Sequence, residues 1–361
     1  MTFAKHKFLF ISIAIITVFL GICSSFFLPE KYYYDANLIA LDPYNEKGLI
    51  GSYPFSMWFY ENSNLNKLSY PLIALVQLTI IFYLIKKIGI PRIFNKLYLR
   101  NLIMWLSLII LAVYLSIPSK EFINLIYISF IVFIFKSSIK FNLKLIIIFL
   151  MFLFFGAWFR AYYALIPVLA IGISGLIKIK IHNRVFFNIL TGLLIACFFS
   201  LSYGFIKGKF MSEGAREALN FKRLGREDSQ TLILSPIKTD NFIGESVGIF
   251  YGFFSVNIPV NGLKFFYKPQ VLAFVFWQLI LFIYILYNYS QCLSQPRRYK
   301  NELWVFHFII SYFIIQGVFE PDLGSAIKHK LGVLPLIYLA IYYDQNLLNI
   351  SGKKNRYVIK I

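Results

Sequence analysis

Long apolar runs separated by short polar segments dominate this chain. About ten runs approach the roughly 20 residues that a helix needs to cross a bilayer. The runs cover residues 8–28, 68–85, 101–117, 122–136, 145–159, 161–177, 185–203, 269–288, 303–319 and 331–347. We therefore predict an all-α integral membrane protein, a polytopic bundle of about ten transmembrane helices that forms one domain over residues 1–361.

The polar segments between these runs alternate in charge. One alternating set is rich in Lys and Arg and holds only Glu302 and Asp344 as acidic residues, whereas the other set is nearly balanced. Basic loops stay in the cytoplasm according to the positive-inside rule. The pattern predicts that both termini are cytoplasmic and that residues 204–268 form one large outer loop, with interfacial helices, between spans seven and eight.

Composition narrows the classes of function. The chain is 59% hydrophobic and 14% charged, well below the charged fraction of soluble domains. Its net charge of +20 is explained by basic residues at span ends, so we do not expect nucleic-acid binding. No phosphate-binding glycine loop or paired-cysteine metal motif is present. The apolar runs contain almost no Asp or Glu, which argues against an ion-coupled transporter.

The large outer loop is rich in arginine. Arg216, Arg223 and Arg226 would suit an anionic ligand, although a solvated helix that neutralises its own charges is an alternative. The following semi-apolar segment, residues 241–260, carries Glu245 and is expected to lie along the interface or to dip into the protein.

A second polar concentration lies between spans nine and ten. Glu320, Asp322, Lys328, His329 and Lys330 occupy this connector. The two lysines that flank the histidine would lower its pKa and keep it neutral, able to accept a proton. An ordinary charged connector is the alternative.

Two aromatic segments also lie on the predicted outer face. Tyr33, Tyr34 and Asp35 follow the first span, and their rings suit either sugar stacking or the membrane interface. Arg160 lies almost without a loop between two apolar runs and is followed by two more aromatic residues, Tyr162 and Tyr163. An arginine at such a position either reaches lipid phosphate or binds a substrate phosphate.

Residues 319–325, followed by Lys328, His329 and Lys330, resemble a segment found in bacterial polysaccharide polymerases of the Wzy type. The hairpin at residues 159–163 is similar as well. The family includes O-antigen, exopolysaccharide and capsule polymerases, and the resemblance in layout covers the whole chain. The chain departs from family members with two large outer loops, because it has only one and lacks their repeated arginine–glycine motif.

The resemblance implies a membrane glycosyltransferase in the bacterial cytoplasmic (inner) membrane, with its site facing the periplasm or exterior. It would transfer a glycan from a polyprenyl diphosphate to another lipid-linked repeat unit, without a metal or cofactor. A repeat-unit flippase and a chain-length regulator would be its protein partners. The expected catalytic residues are His329, Glu320, Asp322 and Glu245; the expected diphosphate ligands are Arg160, Arg216, Arg223, Arg226, Lys328 and Lys330; the expected glycan contacts are Tyr33, Tyr34, Asp35, Tyr162 and Tyr163.

Three other functions fit the same pattern. Another lipid-linked glycosyltransferase or an O-antigen ligase would use nearly the same chemistry. A flippase for lipid-linked sugars would instead require cationic groups inside the bundle, whereas the predicted polar groups lie at one face.

Overall fold

The computed structural model describes residues 4–175, 183–225, 231–345 and 347–348. These ranges contain α-helices and short 3-10 or π-helical segments but no β-strand, and the prediction of an all-α protein is confirmed. In chain order the α-helices are α1 (Lys5–Phe27), α2 (Tyr34–Leu41), α3 (Ser52–Asn62), α4 (Tyr70–Ile88), α5 (Leu99–Tyr114), α6 (Lys120–Lys136), α7 (Phe141–Trp158), α8 (Leu165–Gly175), α9 (Arg184–Lys207), α10 (Ala218–Arg223), α11 (Phe242–Asn257), α12 (Pro269–Ser294), α13 (Lys300–Phe319), α14 (Leu323–Gly332) and α15 (Leu334–Ile341).

Six helices in the described residues are long and apolar enough to cross a bilayer, namely α1, α4, α7, α9, α12 and α13. The chain is therefore a helical protein with several candidate membrane spans. Predicted spans 101–117, 122–136, 161–177 and 331–347 coincide with shorter helices, and parts of the last two lie outside the described residues. The full ten-span topology and the side on which the termini lie stay predictions.

Helix α13 forms the centre of the bundle. Its most apolar stretch is 83% buried, and it packs against α8, α9, α11 and α15. The other five candidate spans are only 22% to 44% buried. Large side chains such as Phe19, Leu150, Phe198 and Ile283 point outward from them. Apolar faces without a protein partner are what lipid contact allows, so this arrangement fits a membrane bundle.

The segment around α11 dips into the protein. Helix α11 crosses α13 at Gly252 and Gly317, where a Cβ atom on Gly252 would lie 2.0 Å from the carbonyl oxygen of Gly317. The guanidinium of Arg216 holds the same crossing, because its Nη1 donates to the oxygens of Gly317 (2.7 Å) and Gly248 (3.0 Å). Of the two placements expected for residues 241–260, the structure shows the buried one.

The polar connector after α13 is mostly helical. Asp322 caps α14, since its Oδ1 accepts a hydrogen bond from the backbone N–H of Ser325 at 2.8 Å. The helix ends at Gly332, and α15 restarts with Pro335 in its first turn. Lys328, His329 and Lys330 therefore project from a helix that packs against α6, and not from a loop.

Candidate functional site: a buried charge cluster beside a cationic pocket

Glu121 lies at the centre of a buried charge cluster. Ser119 caps α6 by accepting a hydrogen bond from the N–H of Phe122, which places Glu121 in the first turn. Its side chain is fully buried. Because α14 packs on α6, His329 lies 3.1 Å from Glu121 through Nε2 and 2.6 Å from Glu320 through Nδ1. The imidazole thus bridges two carboxylates.

Two further cations surround the Glu121 carboxylate. Arg160 Nη2 donates to its Oε1 at 2.6 Å, while Arg160 Nη1 donates to the Tyr162 hydroxyl at 3.1 Å. Lys328 Nζ lies 3.7 Å from Glu121 Oε2. A carboxylate removed from water needs such compensation, and here three basic side chains from two other segments supply it.

Asp35 continues the cluster toward the surface. Its two oxygens accept hydrogen bonds at 2.7 Å from the Tyr53 hydroxyl and from Lys328 Nζ. Lys120 lies 3.8 Å away and sits 3.4 Å above the centre of the Tyr53 ring. Burial raises the pKa of Asp35, but Lys120 and Lys328 outweigh it and hold that pKa far below its ordinary value. The Asp35 side chain stays 30% exposed, so it is both ionised and reachable.

A cavity of about 540 Å³ adjoins Asp35, within the range of small-molecule sites. It lies where the C-terminal end of α5 meets the N-terminal ends of α12 and α14. Its basic lining residues are Lys31, Lys222, Arg223, Lys268 and Lys328; its tyrosines are Tyr32, Tyr34, Tyr53 and Tyr114; its acids are Asp35 and Asp322. Among the described lining residues the basic side chains outnumber the acids, a balance that favours an anionic ligand. We call this cavity the cationic pocket.

The four residues predicted to be catalytic divide into three groups. His329 and Glu320 belong to the buried cluster, behind the cationic pocket. Asp322 lines the pocket and forms an ion pair with Arg223 at 2.7 Å. Glu245 lies elsewhere: it is fully buried and accepts hydrogen bonds from Ser200, from the Ser212 hydroxyl and from the Ser212 backbone N–H. The structure therefore does not bring Glu245 to the site.

Of the five predicted diphosphate ligands that the structure describes, Arg223 and Lys328 line the cationic pocket. Arg160 is occupied by Glu121, and Arg216 by backbone carbonyls and Glu217. Both guanidiniums are buried, and neither lines the cationic pocket.

Lys330 and Arg226 are the remaining predicted ligands. Lys330 is 1% exposed, lies 5.2 Å from the Phe313 ring centre and makes one long hydrogen bond of 3.4 Å to the Val256 oxygen. It faces the protein interior and not the pocket. Arg226 lies outside the described residues.

The predicted glycan contacts also separate. Tyr34 and Asp35 line the cationic pocket. Tyr33 stacks on Tyr70 and donates to the Ser24 carbonyl at 2.8 Å. The two tyrosines of the hairpin are packed inside: Tyr162 stacks against Phe319, and the Tyr163 hydroxyl accepts from Asn124. These three tyrosines therefore support the fold around the cluster and do not line the pocket.

The predicted lowering of the His329 pKa is wrong. Burial does lower it, but Glu320, with support from the hydrogen bond to Glu121, outweighs burial and raises the pKa above its ordinary value of 6.5. Arg160 opposes this rise in the pKa, while the amino groups of the flanking Lys328 and Lys330 point to Asp35 and to the Val256 oxygen. A carboxylate on each ring nitrogen therefore favours the imidazolium form of His329 over the free base.

This raised pKa predicts a pH-dependent stability. His329 stabilises the fold fully below pH 6.5, and that contribution disappears as the pH rises through the raised value. We expect the unfolding temperature of His329→Gln to fall less steeply than that of the wild type from pH 6.5 into the alkaline range. Burial lowers the pKa of Lys330 to about 7, against the opposing effect of Glu320. Both proteins retain that residue, so the difference between the curves reports His329. If the unfolding temperatures of the two proteins changed equally with pH, His329 would not bridge Glu121 and Glu320 as an imidazolium.

Sequence reasoning missed Glu121 and Lys120. A signal was present, because Lys120-Glu121 is a charged pair inserted between two apolar runs that are barely separated. The role of this pair could not be predicted from the sequence, because Lys328 and His329, which contact Glu121, belong to the distant helix α14.

No protein-family model, curated protein or solved structure matches the chain. Among the described residues, no group of three or more His, Cys, Asp or Glu side chains is arranged to hold a metal ion. The cationic pocket and the buried cluster are therefore the features of the protein that point to a function.

Proposed function

We propose that the protein is a membrane glycosyltransferase of the Wzy type. It polymerises polyprenyl-diphosphate-linked oligosaccharide repeat units into a surface polysaccharide on the outer face of the bacterial cytoplasmic membrane. The observation that supports this most is the cationic pocket, which combines five basic side chains, four tyrosines and an ionised, reachable aspartate at one end of an apolar helix bundle.

The charges of the pocket suit a diphosphate. Asp35 is paired with Lys328, and Asp322 with Arg223, so the two acids do not neutralise the whole basic lining. Lys31 and Lys222 add positive charge around the same cavity. Cations held in place before the reaction stabilise the negative charge that develops on a diphosphate leaving group.

The reaction then needs a group that handles the acceptor hydroxyl. In the proposed step, this hydroxyl attacks the anomeric carbon of the donor glycan, the bond from that carbon to the diphosphate oxygen breaks, and polyprenyl diphosphate leaves. Asp35 is the carboxylate placed to accept a hydrogen bond from the hydroxyl and to orient it. Because its pKa is held far below its ordinary value, the proton of the hydroxyl passes instead to the departing diphosphate. His329, Glu320, Glu121 and Arg160 act as positioning residues, because they fix α14 and thereby Lys328.

The proposed function includes a membrane topology. The chain crosses the membrane about ten times with both termini in the cytoplasm, and the pocket faces the periplasm or exterior. The apolar lining residues Val271, Phe274 and Val275 give the pocket a wall suited to a lipid-linked substrate. Such an enzyme receives its substrate from a repeat-unit flippase and works with a chain-length regulator.

An O-antigen ligase or a single-sugar lipid-linked glycosyltransferase would use the same kind of donor and the same pocket. A flippase fits less well, because the charges of the buried cluster lie at helix ends and not midway along the long helices: Glu121 in the first turn of α6, Arg160 after α7, and His329 in the last turn of α14.

Deletion of the gene in the source strain tests the proposal. Surface glycan that consists of a single repeat unit is expected, because supply and export of the unit continue without polymerisation. Complete absence of surface glycan would indicate a flippase. Full-length polymer that accumulates on its lipid carrier would indicate a ligase, and either result would contradict the polymerase assignment.

A further inference from the structure

Gln278 is a buried amide without a hydrogen-bond partner among the described residues. It lines the cationic pocket and is 2% exposed, yet neither Nε2 nor Oε1 is bonded. Its neighbour Trp277, on an adjacent face of α12, donates to the Ser107 hydroxyl at 3.1 Å. A buried polar side chain on this part of α12 can therefore find a hydrogen-bond partner, but Gln278 has none among the described residues.

An amide in this state is unfavourable for folding. Burying an unpaired polar group costs about 1–3 kcal/mol, whereas leucine at the same position would carry no such cost. A polar group of a ligand that occupies the pocket would remove the penalty.

The position of Gln278 suggests which part of a ligand reaches it. Gln270, Val271, Phe274, Val275 and Gln278 all line the cavity, at spacings that place them on one face of α12. Eight residues of helix separate the first from the last, about 12 Å along the axis. Along α12 the lining thus changes from Lys268 and Gln270 at the start of the helix, which we call the basic mouth, through three apolar residues to the uncharged amide of Gln278.

We propose that Gln278 is a binding residue for an uncharged polar substituent, a hydroxyl or acetamido group, on a sugar ring of the lipid-linked glycan. An amide offers two donors and one acceptor without net charge, which matches such groups. The diphosphate stays at the basic mouth. This inference rests on the proposed function and adds a glycan subsite to it.

Binding measurements on the full chain in lipid nanodiscs test this subsite. The two probes are the lipid-linked glycan extracted from the gene-deletion strain and undecaprenyl diphosphate without sugar. Wild-type protein is expected to bind the glycosylated lipid about tenfold more tightly, a difference of about 1.4 kcal/mol. Gln278→Leu is expected to lose this preference and to keep the wild-type affinity for the bare lipid.

Thr17→Val is the matched control. Thr17 is also fully buried with an unbonded hydroxyl, but it lies on α1 and does not line the pocket. It should leave both affinities unchanged. A preference that survives in Gln278→Leu, or that Thr17→Val removes equally, overturns the subsite. Equal wild-type binding of both lipids also overturns it but leaves diphosphate recognition standing. Binding of neither lipid overturns the proposed function and the subsite with it.

Discussion

Glu121→Gln is expected to destabilise the protein by about 3–5 kcal/mol, the cost of removing one partner from a buried charge cluster. The substitution keeps the shape of the side chain but removes its charge. Arg160, Lys328 and His329 would then share less negative charge, although all three are largely buried. Chemical denaturation of the protein in detergent micelles, followed by near-ultraviolet circular dichroism, measures the loss. Polymer formation in cells should fall in parallel.

The matched control is Glu61→Gln. Glu61 also pairs with a lysine, Lys47 at 3.0 Å, but both side chains are about half exposed. Exposed pairs contribute little, and a change below about 1 kcal/mol is expected. Equal stability of Glu121→Gln and the control would show that the buried cluster does not hold α6 and α14 together.

The second large effect concerns activity. Asp35→Asn is expected to lower the rate of polymerisation by about 100-fold, the cost of a misplaced reacting group. The uncharged amide accepts a weaker hydrogen bond from the acceptor hydroxyl and no longer forms an ion pair with Lys328. Stability should change less than in Glu121→Gln, because Asp35 is 30% exposed and Lys328 keeps Glu121 within 3.7 Å. The rate is measured with purified protein and extracted lipid-linked glycan.

Asp240→Asn serves as the control for this variant. Asp240 is an exposed aspartate on the same large predicted loop as the pocket residue Arg223, and it does not line the cationic pocket. Its replacement should leave the rate unchanged. If Asp35→Asn retained wild-type activity while folding normally, Asp35 would not orient the acceptor hydroxyl, and another pocket residue would have to do so.

Hydropathy was sufficient to locate the long helices. The predicted span 303–319 compares with Lys300–Phe319, and 8–28 with Lys5–Phe27. Hydropathy did not predict helix α14, because charged residues are interspersed with the apolar residues of its buried face. Leu323, Ala326, Ile327, Lys330 and Leu331 recur at helical spacing and are all buried. A count of charges could not reveal that pattern.

The site was predictable in part. Asp35, Arg160, Glu320, Lys328 and His329 come from three distant segments, and the structure brings them into one connected cluster. Each of these five residues is charged and lies between two apolar runs, at the ends of the spans that are predicted to face outward.

The pairing of the charges was not predictable. The sequence does not state that Glu121 occupies Arg160, or that carbonyl groups of α11 and α13 occupy Arg216. Whether a charged residue faces a ligand or stabilises a helix crossing depends on contacts between segments far apart in the chain.

Reconstitution tests the central claim most directly. The purified protein in lipid nanodiscs would receive only the lipid-linked repeat unit extracted from the gene-deletion strain, which serves as donor and acceptor. The account predicts a ladder of lipid-linked oligomers, release of polyprenyl diphosphate in equal amount to the new linkages, and loss of both in Asp35→Asn. Intact repeat units after incubation with folded wild-type protein, without released polyprenyl diphosphate, would contradict it.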